Sequence, residues 1–291
     1  MPLERAARWQ QRHPRVKAEG TALVTGAGRG LGRALALELA GRGFEVLATL
    51  RDPDSRGDLA AAAGAAAARI HVQALDVTKP ETMVLPKRLA LLVNNAGVET
   101  SYLPAEHAPL EAWRHVFETN VFGLVELTRR AIPALRASGG SAIVNVTSSS
   151  LFFPMPFYSV YRASKAAVQA FGESLAAELR PFGVRVLEVL PGPVETDMLA
   201  GSDRPPEAAQ HPAYGELAAW AHVARRGMSG QTTSAEEAAR RIVDAILDDA
   251  APLRIACDDV GQAMIAGADQ SPYQVRLLGA LRAMPTPGKG G

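Results

Sequence analysis

Seven short apolar runs, each separated from the next by a helix-length stretch, restrict this chain to a narrow set of architectures. The strand candidates are Ala22–Thr25, Phe44–Leu50, Ile70–Leu75, Leu89–Val93, Ala142–Thr147, Val184–Leu190 and Leu253–Ala256. Helices are expected to begin near Gly30, Asp58, Pro109, Tyr158 and Ser234, the last through a capping box in Ser234-Ala-Glu-Glu237. Strands that alternate with helices form a doubly wound parallel sheet with helices on both faces. With 291 residues and no internal repeat or linker, the chain is expected to fold as a single α/β domain over residues 21–284. Residues 1–20 read as an extension and 285–291 as a flexible tail. The Ala60–Ala68 run, interrupted by Gly64, reads as a plain surface helix.

A formal net charge of +1 gives no reason to expect a nucleic-acid partner. Arg5, Arg8, Arg12, Arg15 and Lys17 read as a solvated arm. The single cysteine, Cys257, has no neighbours at metal-ligand spacing, so no metal is expected and a reducing, cytoplasmic compartment fits. No run approaches the ~18 apolar residues of a membrane span, and the N-terminus lacks a signal-peptide core.

Three motifs carry chemistry. The first strand enters Thr25-Gly-Ala-Gly-Arg-Gly-Leu-Gly32, where glycines let backbone N–H groups approach a pyrophosphate at a helix N-terminus; glycines after a strand also make simple turns. Asn94, Asn95, Ala96 and Gly97 follow the fourth strand at the sheet edge where ligands bind, although two asparagines also suit a turn. Tyr161 and Lys165 lie one helical turn apart, so an ammonium can favour the phenolate of a side chain that otherwise titrates near ~10. Tyr158 is a rival, but the residue four beyond it is Arg162, too basic to relay a proton. Ser148, thirteen residues before Tyr161, ends a strand where it can bond a substrate oxygen; Ser149 and Ser150 are not excluded by spacing.

Together with Asp76-Val77, Asn120 in Asn120-Val-Phe-Gly123, and Pro191-Gly192 followed by Thr196, these motifs closely resemble the short-chain dehydrogenase/reductase family over roughly Thr21 to Cys257. Ala48-Thr-Leu-Arg-Asp52 and Pro181-Phe-Gly-Val184 are most similar to its hydroxysteroid and retinol dehydrogenase branch. The resemblance implies a Rossmann-type seven-stranded sheet with a substrate lid over about 194–233. It implies Tyr161 as general acid/base, Lys165 lowering its pKa and holding the nicotinamide ribose, Ser148 orienting the carbonyl, and Asn120 holding a water. It also implies that Gly26, Gly28, Arg29, Gly30, Leu31 and Gly32 cradle the dinucleotide. Asp76 and Val77 would meet adenine, Asn94, Ala96 and Gly97 the adjoining ribose, and Pro191, Gly192, Val194 and Thr196 the carboxamide side. One departure is the short connection of seventeen residues between Asp76 and Asn94, where Val77–Arg88 leaves room for only a short helix limited by Pro80 and Pro86.

The cofactor is expected to be NADP(H). An NAD site places an acid at the end of the second strand; that place falls on Leu50, and Arg51 and Arg29 offer guanidinium forks for a 2′-phosphate. A one-residue shift would bring Asp52 there and restore NAD. The implied activity interconverts a ketone or aldehyde and an alcohol. A catalytically silent NADP-binding scaffold is the competing reading, against which Ser148, Tyr161, Lys165 and Asn120 are all present. A sugar-nucleotide epimerase shares the Tyr–Lys pair but generally needs a larger substrate domain than the residues after Gly192 supply. A small apolar carbonyl or alcohol would meet Phe152, Phe153, Met155, Phe157, Met198, Tyr214 and Trp220. A homodimer or homotetramer is expected through the helices Pro109–Arg136 and Tyr158–Arg180, which carry Val116, Val121, Leu124, Val168, Phe171 and Leu175.

Overall fold

The computed structural model describes residues 15–56, 59–202, 204–229 and 232–285. Seven strands, β1 (Thr21–Thr25), β2 (Glu45–Leu50), β3 (Ile70–Ala74), β4 (Leu91–Asn94), β5 (Ser141–Val146), β6 (Val184–Val189) and β7 (Arg254–Ile255), form one sheet in the order β3-β2-β1-β4-β5-β6-β7. Every pairing is parallel; Ala22, for example, lies between Val46 of β2 and Leu91 of β4. All residues of β4 and β5 are buried, as expected of central parallel strands covered on both faces.

Helices α1 (Gly30–Arg42), α2 (Leu59–Ala62), α3 (Leu110–Phe117), α4 (Leu124–Ser138), α5 (Ser159–Leu179), α6 (Asp197–Ser202), α7 (Gly215–Ser229), α8 (Ala235–Leu247), α9 (Asp259–Gln270) and α10 (Tyr273–Ala283) complete the described fold. Leu31, Leu35 and Leu39 of α1 and Ile242, Val243 and Ile246 of α8 pack on one sheet face, against Ala22, Val24, Val46 and Val93. Leu127, Ala131 and Leu135 of α4 and Leu175 and Leu179 of α5 pack on the other, against Leu23, Leu92, Ile143 and Val186. The cap of α8 forms as expected, with Ser234 Oγ accepting from Glu237 N at 3.1 Å.

Four expectations are corrected. The alanine run is not one helix: α2 ends at Ala62, Gly64 has φ +51°, and Gly64–Arg69 is a 3-10 turn. No α-helix forms in the β3–β4 connection; a 3-10 turn at Pro80–Thr82 is closed by Thr82 Oγ1 donating to Lys79 O at 2.8 Å. The 83–85 stretch takes the helix's place on that face, packing Met83 and Leu85 with Leu47 of β2 while Gln73 Nε2 donates to Val84 O at 2.9 Å, and at its edge Glu45 and His71, 3.0 Å apart, are exposed. Within the described part of the N-terminal extension, Val16 is buried in the α1 core, so the segment from Arg15 onward is not wholly solvated; Met1–Pro14 and the tail residues 286–291 lie outside the described residues. Finally, of the apolar residues expected at an oligomer interface, Val116, Leu124, Val168 and Leu175 are buried inside the protomer, Phe171 packs on its core and Val121 is half-buried; Leu110 and Phe122, which were not among them, are exposed on the same stretch.

Candidate active site

A cavity of about 1040 Å³ opens at the C-terminal ends of the strands, where the sheet order reverses between β1 and β4. Thr25 ties these two strand ends together: its hydroxyl donates to Val93 O at 3.2 Å and accepts from Asn95 N and Ala96 N, each at 2.9 Å. The turn after β1 needs its glycines. Gly30 has φ +53°, and a Cβ on Gly32 would sit 2.3 Å from Gly26 O and 2.4 Å from Asn95 Nδ2. This turn leads straight into α1, whose first turn has no acidic residue and opens on the cavity, an arrangement that suits an anion. Gly26, Gly28, Arg29, Gly30, Leu31 and Gly32 all line it.

Arg51, Asp76 and Val77 line the neighbouring wall, together with Leu50 and Asp52. Asp52 Oδ1 accepts from Asp54 N at 3.0 Å, capping the next turn. Burial works against ionisation of Asp76, but hydrogen bonds from the Thr78 N–H and hydroxyl, at 2.9 and 2.8 Å, prevail and hold its pKa below the ordinary value. Asn95, Ala96 and Gly97 reach the cavity; Asn94 does not. Its side chain turns into the sheet and donates to Thr128 Oγ1 and Asn145 Oδ1, each at 2.9 Å.

Ser148, Tyr161 and Lys165 come together on the opposite wall. Ser148, whose Oγ accepts from Ser150 N at 3.1 Å, is the one of the three serines that acts on the Tyr161 phenol, lowering its pKa. Lys165, buried, donates to Val146 O at 2.8 Å, and its Nζ lies 5.6 Å from the Tyr161 ring centroid. Burial is the dominant influence on both: it pushes the phenol well above its ordinary value and pulls Lys165 down to about 8. After burial, Glu99 and Tyr102 raise the phenol further and Ser148 lowers it. Arg162 faces away from the chemistry, donating to Ser150 O at 2.7 Å.

Asn120 sits in a π-helical turn, Glu118–Gly123, that joins α3 to α4. Its Oδ1 accepts from Val98 N at 2.8 Å and its Nδ2 donates to Val98 O at 2.9 Å and Ser164 Oγ at 3.1 Å. It stands behind the cavity wall, close to Lys165: a Cβ on Gly97 would lie 3.4 Å from Asn120 Oδ1 and 3.5 Å from Lys165 Nζ. Pro191, Gly192, Val194 and Thr196 line the remaining side. Beyond them the chain leaves on an excursion whose ends meet again in a bridge between Val194 and Thr233. Arg29 pairs across the cleft mouth with Asp197 of α6 at 3.3 Å.

Sequence reasoning missed several neighbours. Asp258, 1% exposed, accepts from Gly192 N at 2.6 Å and Gly261 N at 2.7 Å. Glu99 and Arg225 line the cavity beside Tyr158, and Val260 and Met264 of α9 add apolar wall. Of the apolar candidates, Phe153, Met155 and Met198 face the cavity, whereas Phe152, Phe157, Tyr214 and Trp220 do not.

The described residues include no helix long and apolar enough to cross a membrane. Residues 20–206 match the model of the family described as short chain dehydrogenase. The uncharacterized oxidoreductase YusZ of Bacillus subtilis (strain 168) is 40% identical over 190 residues, which are 62% of this chain and 67% of that protein. Retinol dehydrogenase 8 of Bos taurus is 37% identical over 190 residues, again 62% of this chain but 61% of the relative, so the chain spans less than two thirds of it. A short chain dehydrogenase from Burkholderia cenocepacia J2315, solved in complex with NADP, superposes with a TM-score of 0.72 at 30% identity, covering 92% of this chain and 100% of the other. The family match over residues 20–206 and the relative 40% identical, with a glycine turn and a Ser–Tyr–Lys set lining one cavity, make the chain an oxidoreductase of the short-chain dehydrogenase family.

Proposed function

We propose that the chain interconverts a ketone or aldehyde and an alcohol with NADP(H), using Tyr161 as general acid/base. The observation that carries this reading is the gathering of Ser148, Tyr161 and, one helical turn on, buried Lys165 in the same cavity as the glycine turn. The close approach of Gly32 to Gly26 O fits a backbone that must lie against a pyrophosphate, and the cavity volume accommodates a dinucleotide beside a small substrate. A bound nicotinamide dinucleotide would supply or take up the hydride.

The rest is the protein's part. Ser148 orients the carbonyl oxygen against Tyr161 through its hydroxyl. A neutral phenol is the form that donates a proton, so the upward push of burial keeps Tyr161 loaded for carbonyl reduction at neutral pH. In alcohol oxidation the phenol must lose that proton, and Lys165, in its charged form, favours the phenolate. Lys165 Nζ and Asn120 Oδ1 both lie beside Gly97, which supports a route for the returning proton.

NADP(H) rather than NAD(H) is favoured by Leu50 at the strand end, Arg51 on the cavity wall, and the use of Asp52 as a turn cap. Phe153, Met155, Met198, Val260 and Met264 favour an apolar substrate body. The 194–233 excursion is read as the substrate lid, within a single domain over residues 21–284, and Cys257, buried and with its thiol pushed up by burial, fits a reducing cytoplasm. Association into a homodimer or homotetramer is assigned to Leu110 and Phe122, exposed on α3 and the π turn. The test is kcat/KM with NADPH and NADH on a panel of aromatic, steroid and retinoid carbonyls. We expect NADPH to be preferred, Arg51→Ala to reduce that preference roughly ten- to a hundredfold, and Tyr161→Phe to abolish turnover while binding NADPH. Equal efficiency with NADH, or normal turnover by Tyr161→Phe, refutes the corresponding half of the reading.

A further inference from the structure

Beside Tyr161 the cavity wall holds a buried charged cluster that the acid/base chemistry above does not use. Glu99, on the loop after β4, accepts a hydrogen bond from the Tyr102 hydroxyl. Arg225, only 7% exposed, reaches in from α7 within the excursion, and its Nη2 donates to the same hydroxyl at 3.2 Å. The three groups thus form one directed chain, from Arg225 through Tyr102 to Glu99. The guanidinium also lies 4.3 Å from the Tyr102 ring centroid and 4.8 Å from that of Tyr158. Those two rings stack at 4.7 Å, and Tyr158 meets Tyr161 edge-on at 6.3 Å.

We propose that Glu99, Tyr102 and Arg225 are positioning residues that hold Tyr158 against Tyr161 and place a carboxylate where Tyr161 and Lys165 both sense it, so that docking of α7 sets the protonation of the catalytic pair. The inference rests on Tyr161 being the acid/base. A carboxylate beside a phenol and an ammonium favours the neutral phenol and the charged ammonium, and Glu99 raises the pKa of both. It keeps the proton on Tyr161 for delivery and opposes the downward pull of burial on Lys165. Glu99 itself is pushed up by burial, and the groups facing it oppose that push: Tyr102 on its own loop, Arg225 on α7 and Lys165 on α5. When α7 undocks, Arg225 leaves, Glu99 takes up a proton more readily, and the pair loses its negative neighbour. The proton donor is then best prepared when the excursion is closed over the substrate.

The test uses two readouts on the full-length protein. In the cofactor-free state, Lys165 is titrated by 13C NMR of the lysine Cε; the chain has five lysines, and Lys165→Met assigns the signal. In steady state, the alkaline limb of kcat/KM for NADPH-dependent carbonyl reduction is measured. Glu99→Gln, close to isosteric, is expected to move both to lower pH by at least about half a unit. Tyr102→Phe keeps the ring stack, removes the hydroxyl link, and serves if Glu99→Gln does not fold; it is expected to shift both in the same direction. Arg225→Met is expected to do likewise and to lower kcat about tenfold, with Arg225→Lys restoring the limb in part. Titration and limb unchanged from wild type in the folded variants overturn the proposal. If Tyr161→Phe turns over normally, it is the acid/base reading that fails, and the Lys165 titration alone decides whether the cluster acts on the pair.

Discussion

Replacing Asp258 should damage both the stability of the protein and its hold on the cofactor. The carboxylate caps α9 through Gly261 N at 2.7 Å and reaches back to Gly192 N at 2.6 Å, and it is 1% exposed. Each hydrogen bond to a buried charged acceptor is worth roughly 1.5–3 kcal/mol, and the lost cap is part of the first one. Asp258→Ala strands two backbone donors, so we expect a loss of about 4 kcal/mol, which for a chain of this size is a fall in Tm of roughly 8–16 °C. Asp258→Asn keeps one acceptor oxygen but turns an amide NH2 toward the other donor, and about half that loss is expected. Because Gly192 borders the cavity, the KM for NADPH should rise in step. The assays are urea and thermal unfolding at one protein concentration, with cofactor affinity by NADPH fluorescence. A loss under about 1 kcal/mol for the alanine variant, with unchanged cofactor affinity, would refute the reasoning.

Three more residues of the site carry expectations of their own. Lys165→Met should abolish turnover yet stabilise the cofactor-free protein at pH 7 by about 1–3 kcal/mol, because burial lowers the lysine from 10.5 to about 8. Between pH 8 and 10.5 the unfolded chain binds a proton that the folded one lacks, so the lysine's burden lifts as pH rises and the two proteins should converge; a less stable Met variant at pH 7 would contradict this. Asp197→Asn releases Arg29 from an ion pair whose side chains are 79% and 71% exposed, and should lower the KM for NADPH by no more than about fivefold, an effect that fades in high salt; an unchanged or raised KM at low salt sinks the idea that Arg29 serves the phosphate. Gly32→Ala puts a Cβ 2.3 Å from Gly26 O, so dinucleotide binding in a fluorescence titration should be lost before the fold is, and retained affinity would mean that the turn yields.

Buried parallel strands betray themselves by continuous apolar runs, which makes β1, β2, β4, β5 and β6 legible to within a residue or two at each end; β3, exposed at His71 and Ala74, is marked instead by the alternation of Ile70 and Val72 with polar neighbours. Helices are less legible. Gly64 adopts a left-handed conformation that ends the alanine helix, a choice that alanine content does not reveal. Nothing in the Val77–Arg88 stretch announces that a single 3-10 turn replaces its helix, because prolines limit a helix without dictating the backbone that takes its place. In the site, motif spacing locates Ser148, Tyr161 and Lys165. It fails to separate Asn94 from Asn95, since only the end of strand alternation decides which of two identical residues turns inward. Glu99 and Arg225 have no signal at all: Arg225 precedes Arg226 on a helix that reads as solvated, and the partner it needs is over a hundred residues away. Asp258 lies beside Asp259, and its three-residue offset to Gly261 is the one cue that marks it as a cap.

The bridge between Val194 and Thr233 divides the molecule's opening behaviour into two classes. Glu195 N bonds Thr233 O at 2.9 Å and Thr233 N bonds Pro193 O at 3.1 Å, so both ends of the excursion are anchored at one point on the sheet's rim. No described residue between them contributes a strand to the sheet, and of the excursion only Val194, at its anchored end, joins the α1 and α8 core. Sub-global opening of α6 and α7 then leaves the sheet intact, with an energy set by contacts such as Arg225 on the tyrosine stack and Ala218 and Ala221 beneath α7. Amide hydrogen exchange should accordingly be fast across α7 and slow in β4 and β5, and saturating NADPH with a product alcohol should slow the α7 amides more than those of the sheet. On the proposed function, product release is then expected to be an event of partial unfolding at the rim, with a rate of its own that mutations in the catalytic pair leave unchanged.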